Sequence, residues 1–591
     1  MPFCPPTWLP QLPDVPDAIS VETFLFDERF GRHAVPLSRP PFVDGLTGKA
    51  YTVHEVKRRV DHLARGLAAE LGFEPHAGTE WDKAVACYSI NTIDYLTLAW
   101  AVHRLGGVVC CINASCNAGE LATQLRDSGA KAIFTCLPLL ATALTGIETV
   151  GTIPKDRVFL YELTPSAHPG SSSGHKTLQQ LIDTGTHLPN LQPADSFWAP
   201  GDGHKRIAFV CYSSGTSGLP KGVMLAHQNL IANVMQFTAH QHRSREAVRR
   251  ELGLENYTTA CLGLLPMSHL YGLLIISLMA MYRGDSVIVL PRYDLEQLLQ
   301  CIQRFRIAHL WVVPPMVIDM AKQAATLRRY DLSSVRVVFA GAAPLTRDTV
   351  RDLLRVMPDV CALQGYGLTE SGGVVCGSDA ADVWPGSSGW LVPGTKLRIF
   401  SPDGDEEITE YNRPGELWVH SPSLVPGYLN NAEATTDTFI IAKDDGLRYL
   451  KTGDEGLVAK SETGVEHVFI TDRIKELIKV KSHQVAPAEL EGHLLTHPAV
   501  SDCVVVGVPS TREGEVPKAF VVRAASAAGS SDDALVQSIL DHVARHKSDH
   551  KRLRGGVEFI DAVPKSPAGK ILRRVIRDRE RAKMAAQGAK L

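Results

Sequence analysis

Short Val/Ile-rich runs without polar alternation constrain this chain more than any other feature. AVACYSI (84–90), GGVVCCIN (106–113), AIFTC (132–136), RIAFVCYSS (206–214), DSVIVL (285–290), HLWVVP (309–314) and VRVVFAGAA (335–343) recur through roughly the first 470 residues. A strand that is apolar at successive positions keeps no face for water, so it belongs in a parallel sheet covered on both sides. Amphipathic stretches such as HEVKRRVDHLARGLAAEL (54–71) and LEQLLQCIQRFR (295–306) stand between the runs as helices. The alternation predicts an α/β large domain with doubly wound sheets.

After Asp472 the texture changes. The charged stretch DRIKELIKVKSHQ leads to a helical AELEGHLLTH (488–497), strands SDCVVVGVP (501–509) and KAFVVRA (518–524), a helix over 534–547 and a basic tail. This predicts two domains, 1–471 and a smaller α+β domain 472–591. From Arg545 onward there are 14 Lys and Arg against 5 Asp and Glu. Over the whole chain, 61 basic and 64 acidic residues nearly cancel, which argues against a dedicated nucleic-acid binder. Twelve cysteines without any C-x-x-C spacing fit neither a zinc module nor a disulfide scaffold. The start has no basic and apolar leader pattern. The longest apolar run, Leu270 to Tyr282, is too short to span a bilayer and reads as a buried helix.

The strongest local signal is Tyr212-Ser-Ser-Gly-Thr-Ser-Gly-Leu-Pro-Lys-Gly222, directly after the strand RIAFVC. Glycines, hydroxyls and a lysine on such a loop suit the wrapping of a phosphate. No Walker A spacing fits it, nor a G-x-S-x-G nucleophile elbow. Further runs follow in order: LPMSHLYG (265–272), AGAAPL (340–345), LQGYGLTES (363–371), GELWVHS (415–421), YLKTGDEG (449–456), DRIKELIKVKSHQVAPAELE (472–491) and PKSPAGKILRR (564–574).

This ordered set resembles the ANL superfamily of adenylate-forming enzymes over about residues 40 to 575, and is most similar to its 4-coumarate–CoA ligase-like branch. The resemblance implies a large domain of doubly wound sheets plus a small distorted barrel, and a mobile C-terminal lid. It implies an ATP-dependent acyl-CoA ligase that forms acyl-AMP and then transfers the acyl group to the CoA thiol. ATP, Mg2+ and coenzyme A are the implied cofactor and co-substrates.

The residue roles are carried over from the same motifs. Ser213, Ser214, Gly215, Thr216, Ser217, Gly218 and Lys221 are expected at the ATP phosphates, and Gly341, Ala342, Ala343, Gln364, Gly365, Tyr366, Gly367 and Thr369 along the nucleotide. Glu370, with Thr216, is the expected Mg2+ ligand, a hard oxygen beside the triphosphate. Asp454 is expected on the ribose hydroxyls, Arg473 near ribose and phosphate, and Lys475 at the hinge. Lys570 is the expected catalytic residue, an ammonium that meets charge building on the phosphoryl oxygens. Lys479 and Gln484 match positions that approach the adenylate, and His269 matches the histidine near the acyl carboxylate.

For the acyl group, position points to Tyr271, Gly341, Gly365, Gly373 and Val374, mostly small or apolar, which favours a hydrophobic acid. Met267-Ser268-His269 lacks the aspartate that meets an α-ammonium in amino-acid-activating relatives. Gly372-Gly373-Val374 stands where plant coumarate ligases carry Gly-Pro-Val, and Lys481-Ser482-His483-Gln484 replaces Lys-Gly-Phe-Gln, which touches the pantetheine path. Ala589-Lys590-Leu591 is a relative of the S-K-L address, so a peroxisomal import receptor is an expected partner, with the cytoplasm as the alternative. Three rival readings remain: loading of a carrier protein in trans, a luciferase-like oxygenase, and a non-catalytic nucleotide-binding relative. The last should have lost Lys570, Glu370 or the phosphate loop, and all three are present.

Overall fold

In the computed structural model the apolar runs become the inner strands of two large sheets. The structure describes residues 2–588 except 164–173, 214–219, 402–405, 481–482, 511–512, 528, 530 and 567–568. Ser214, Gly215, Thr216, Ser217, Gly218, Ser482 and Ala589-Lys590-Leu591 therefore lie outside the described residues, as does the side chain of Gln484.

Val85–Tyr88, Val109–Ile112 and Ala132–Thr135 are buried at every position and lie in parallel register, Val85 opposite both Val109 and Ala132. They occupy the middle of a seven-stranded sheet that continues through Ile207–Ser213 to the antiparallel Lys221–Ala226. The second sheet has eight strands. Phe42–Asp44, Ser286–Val289, Ala260–Gly263, His309–Val312, Val337–Ala340 and Cys361–Leu368 run parallel in that spatial order, and Gly373–Gly377 and Trp390–Leu391 close it antiparallel.

The expected helix over 54–71 is Val53–Leu71. Thr52 caps it reciprocally with Glu55, and Gly72 ends it at φ 70°, the left-handed region glycine enters without strain. The run from Leu270 is buried and helical as expected, but Tyr271–Leu278 is π-helical before α-helix resumes at Met279–Tyr282. Ser277 Oγ donates to the carbonyl of Gly272, and Gly272 lies so near Pro266 that a Cβ would stand 2.3 Å from its carbonyl oxygen. Such wide turns are frequent at functional sites. Among the described residues, no helix is long and apolar enough to cross a membrane.

A six-stranded antiparallel sheet follows. Its long strand Arg448–Lys460 pairs with Gly415–His420, Phe439–Ile441 and Glu466–Arg473. Beyond it comes a five-stranded sheet built on the hairpin Val500–Ser510 and Gly514–Arg523, with helices Pro487–Leu494, Asp532–His546 and Arg573–Gly588. Val505 and Val521 pack on one face of this hairpin with Leu490, Ile539 and Val543, while Val504, Val506 and Phe520 pack on the other with Ile576. The last part of the chain thus carries its own two-sided core, and the apolar clusters of the preceding sheets end before residue 472.

Candidate active site

The residues singled out above converge on one cavity of about 1120 Å3 between the large sheets and the final domain. Ser213, Lys221, His269, Tyr271, Gly341, Ala342, Gly365, Tyr366, Gly367, Thr369, Glu370, Gly373, Val374, Asp454, Arg473, Lys475 and Lys570 all line it.

One wall is an electrostatic triad. Asp454 is buried, with Tyr366 donating its phenol to Oδ2 at 2.7 Å and Arg473 Nε 3.4 Å from Oδ1. Strand register fixes the arginine, because Asp454 stands opposite Arg473. Burial raises the Asp454 carboxyl above the usual carboxylate range, and the guanidinium of Arg473 pulls the other way.

Lys570 comes into this wall from the final domain. Its loop is braced: Ser566 N donates to Lys570 O at 2.7 Å, Lys570 N donates to Ser566 Oγ at 3.2 Å, and Lys565 bridges Ile571. Gly569, at φ 79°, lies against the large domain so that a Cβ would be 3.0 Å from Val313 Cγ2. Burial, and then the charge of Arg473, lower the ammonium of Lys570 to about 8, while Glu476, Asp454 and Glu370 oppose that shift. Two half-buried cations share a cavity that has room for a polyphosphate.

Behind the loop, Arg573 donates to Glu491 through Nη2 at 2.5 Å and also pairs with Glu476. Glu476 belongs to the turn after Arg473, in which Glu476 N donates to Arg473 O at 2.8 Å. Lys475 stands in that turn, exposed at the cavity edge, and its carbonyl accepts from Arg577 at 3.2 Å.

On the opposite wall Tyr428 donates to Glu370 Oε1 at 3.0 Å, and the ammonium of Lys221 lies 4.9 Å above its ring centre. Tyr428 was not foreseen. It reaches the site because Gly427–Tyr428 pairs with Val223 and Met224 as a two-residue edge strand, too short for a sequence pattern. The Glu370 carboxylate is a hard oxygen donor on the wall of a polyphosphate-sized cavity, a fit for Mg2+.

His269 accepts from Tyr271 N at Nδ1 (3.3 Å), which leaves the proton of the neutral ring on Nε2. Burial, and secondarily Lys570, lower it to about 4, so it is neutral at physiological pH. Tyr271 is fixed by its own bond to Phe339 O at 3.1 Å, and its ring lies over Gly341, where a Cβ would be 2.8 Å from Cε1.

Several expected residues take other places. Gln364 is buried away from the cavity, its amide donating to Ser387 O at 2.7 Å and accepting from Leu345 N at 2.8 Å, so both ends of the group are spent on the scaffold. Ala343 is exposed and also off the wall. Gly365 and Gly373 do line the cavity, yet packing is what demands glycine: a Cβ on Gly365 would meet the Phe339 ring at 2.8 Å, and one on Gly373 would meet Asn233 Oδ1 at 2.1 Å. Asn233, another residue without a sequence signal, clamps this turn by bonding both N and O of Val374. Ala342 holds φ 67°, a strained value for a residue with a Cβ. Lys479 is exposed on Ile478–Val480, opposite Gln484 in register, and does not line the cavity. The final domain that brings Lys570 to the cavity carries Lys479 outside it.

A cleft that gathers a buried carboxylate, two cations and a hard oxygen ligand beside an apolar recess is built for adenylate formation. A family model described as AMP-binding enzyme matches residues 32–429, and one described as AMP-binding enzyme C-terminal domain matches residues 489–570. The chain belongs to this family of adenylate-forming enzymes and is an AMP-forming acid–CoA ligase. It is 36% identical to the acyl-CoA ligase cm3C of Cordyceps militaris, across 98% of this chain and 90% of that one. It is 38% identical to the acyl-CoA ligase AKT1 of Alternaria alternata, across 98% and 97%. In fold it is similar to the anthranilate CoA ligase AuaEII solved with anthranoyl-AMP (TM-score 0.79, 22% identity, 97% of this chain and 99% of that one).

Proposed function

We propose that this ligase activates a hydrophobic carboxylic acid lacking an α-amino group, and that its two half-reactions are divided between two orientations of a small domain beginning near Asp472. The observation that carries the reading is Lys570, delivered by that domain into a cavity of the large one beside Arg473, Asp454 and Glu370.

In the first half-reaction the acid's carboxylate oxygen bonds to the α-phosphorus of ATP as the bond to pyrophosphate breaks. Negative charge grows on the phosphoryl oxygens, and the ammonium of Lys570 stabilises it more than the ground state, the condition for catalysis. Asp454 accepts from the ribose hydroxyls, with Arg473 steadying both carboxylate and phosphate. The Nε2–H of His269 donates to the acid and aims it. Ser213, Lys221 and Thr369, with the loop 214–218, hold the polyphosphate. Glu370, with Thr216, would hold Mg2+, which supplies neutralisation of phosphate charge.

In the second half-reaction the domain turns about Lys475 and withdraws Lys570. Lys479 and Gln484 then face the adenylate, the CoA thiol gives its proton to solvent as its sulfur bonds to the acyl carbon, and AMP departs with the electron pair of the anhydride bond. The apolar wall of Ile275, Phe339, Leu368 and Val374 supports a hydrophobic acid, and the absence of a carboxylate from Met267-Ser268-His269 speaks against an amino acid. The test is acid-dependent ATP–pyrophosphate exchange over short, long, aromatic and amino acids, followed by CoA-dependent AMP release. Exchange with apolar acids and release on adding CoA is the expected result. Exchange confined to amino acids would overturn the substrate reading.

A further inference from the structure

The small domain carries a second constellation that the ligase reaction does not use. His493 on Pro487–Leu494 meets His542 and His546, one turn apart on Asp532–His546, and each can present a ring nitrogen within 4.8 Å of the others. It is the one such group of three or more metal-ligating side chains among the described residues, and none of the three lines the active cavity.

Their hydrogen bonds decide which nitrogen is free. Thr496 donates its hydroxyl to His493 O at 2.7 Å, so toward His542 Nε2, 2.9 Å away, it accepts; His542 carries its proton on Nε2 and a lone pair on Nδ1. His546 Nδ1 lies 2.9 Å from His542 O, a carbonyl that only accepts, so its lone pair is on Nε2. His493 Nε2 faces the same carbonyl at 3.3 Å, which leaves Nδ1 open. Each ring thus donates one N–H to an oxygen and keeps the other nitrogen bare, the arrangement that fixes the tautomer of a metal-bound histidine. Of the nearby cations, Lys547 is paired with Glu489 at 2.9 Å, while Arg545 adds positive charge beside His542.

We propose that His493, His542 and His546 form a site for zinc or a similar imidazole-seeking divalent cation, with solvent completing the coordination. A tetrahedral site needs ligand atoms about 3.3 Å apart, so the rings of His493 and His542, stacked at 4.3 Å and 6° to one another, have to turn out of parallel to aim at one ion. The cation would fasten Asp532–His546 to the helix whose Gly492 touches Thr346 of the large domain, where a Cβ would stand 2.4 Å from Cγ2.

The experiment is zinc titration of the tag-free full chain against a chromogenic chelator, with Co2+ as a spectroscopic stand-in. One equivalent bound at micromolar affinity, with a cobalt spectrum free of thiolate charge transfer, is expected. His546→Ala and the double variant His542→Ala/His546→Ala should weaken binding by at least about tenfold, with ATP–pyrophosphate exchange unchanged. Equal binding by wild type and variants, a thiolate band from the cysteines, or no binding at micromolar zinc would each overturn the site. His546 is exposed, so its single variant decides the matter even where the double variant fails to fold.

Discussion

The phenol of Tyr366 donates to Asp454 at 2.7 Å, joining a strand of the eight-stranded sheet to one of the antiparallel sheet. An aromatic expected along the nucleotide also steadies the carboxylate expected to hold the ribose. Tyr366→Phe keeps the face and removes the hydrogen bond. Loss of a bond to a charged group costs about 1.5–3 kcal/mol, so the KM for ATP should rise roughly tenfold or more while kcat changes little. Steady-state kinetics at saturating acid and CoA check this.

Lys570→Ala should slow acyl-AMP formation by on the order of 10²–10³, the cost of removing one electrostatic stabiliser of a transition state. Thioester formation from supplied acyl-AMP should proceed at close to the parent rate. Lys479→Ala should give the reverse split. Rapid-quench measurement of each half-reaction separates the two, and equal losses in both would sink the division of labour.

The alkaline limb should come from Lys570. Burial and Arg473 disfavour its charged form and hold it at about 8, and the charged form is the one that stabilises the transition state. Activity is therefore present below that pH and lost as pH rises through it. In kcat/KM for ATP, which reports the free enzyme, the limb should fall near 8, and Lys570→Arg should remove it because a guanidinium does not titrate there. His269, held at about 4, adds no limb near neutrality.

Gly569→Ala places a Cβ at φ 79° and against Val313. The left-handed conformation costs about 1–2 kcal/mol for a non-glycine residue in either orientation, whereas the contact with Val313 Cγ2 weighs only on the orientation that seats this loop. Adenylation should drop roughly tenfold and the CoA step should not. Single-turnover assays of both steps show whether the contact is specific to one orientation.

Glu370→Gln keeps a hydrogen-bond acceptor for Tyr428 and removes the anionic oxygen. The Mg2+ concentration for half-maximal exchange should rise severalfold, read from a metal titration at fixed ATP. An unchanged titration would count against Glu370 as the ligand.

What could be read in advance was whatever local pattern dictates. Val85–Tyr88 and Val109–Ile112 announce parallel strands because apolar residues fill both faces, and the helix after Thr52 is written in its cap. The ordered motifs brought Asp454, Arg473 and Lys570 together on paper before any geometry did. Tyr428 and Asn233 were not legible, since each acts through a partner 58 and 141 residues away. Gln364 looked like a site residue because it sits inside a motif, whereas its amide is consumed by Ser387 and Leu345. Lys479, read from its motif as approaching the adenylate, stands exposed on Ile478–Val480 outside the cavity, because the sequence does not say which face of the final domain meets the large one.

The clamp of Arg573 on Glu476 and Glu491 has a kinetic corollary. With the backbone of the preceding loop bridged and the following helix held to the turn at Lys475, the proposed division between two orientations withdraws Lys570 only by moving the whole final domain through solvent. The interval between the two half-reactions should therefore lengthen in step with the viscosity of the medium, as it would not for a side chain that merely swung aside.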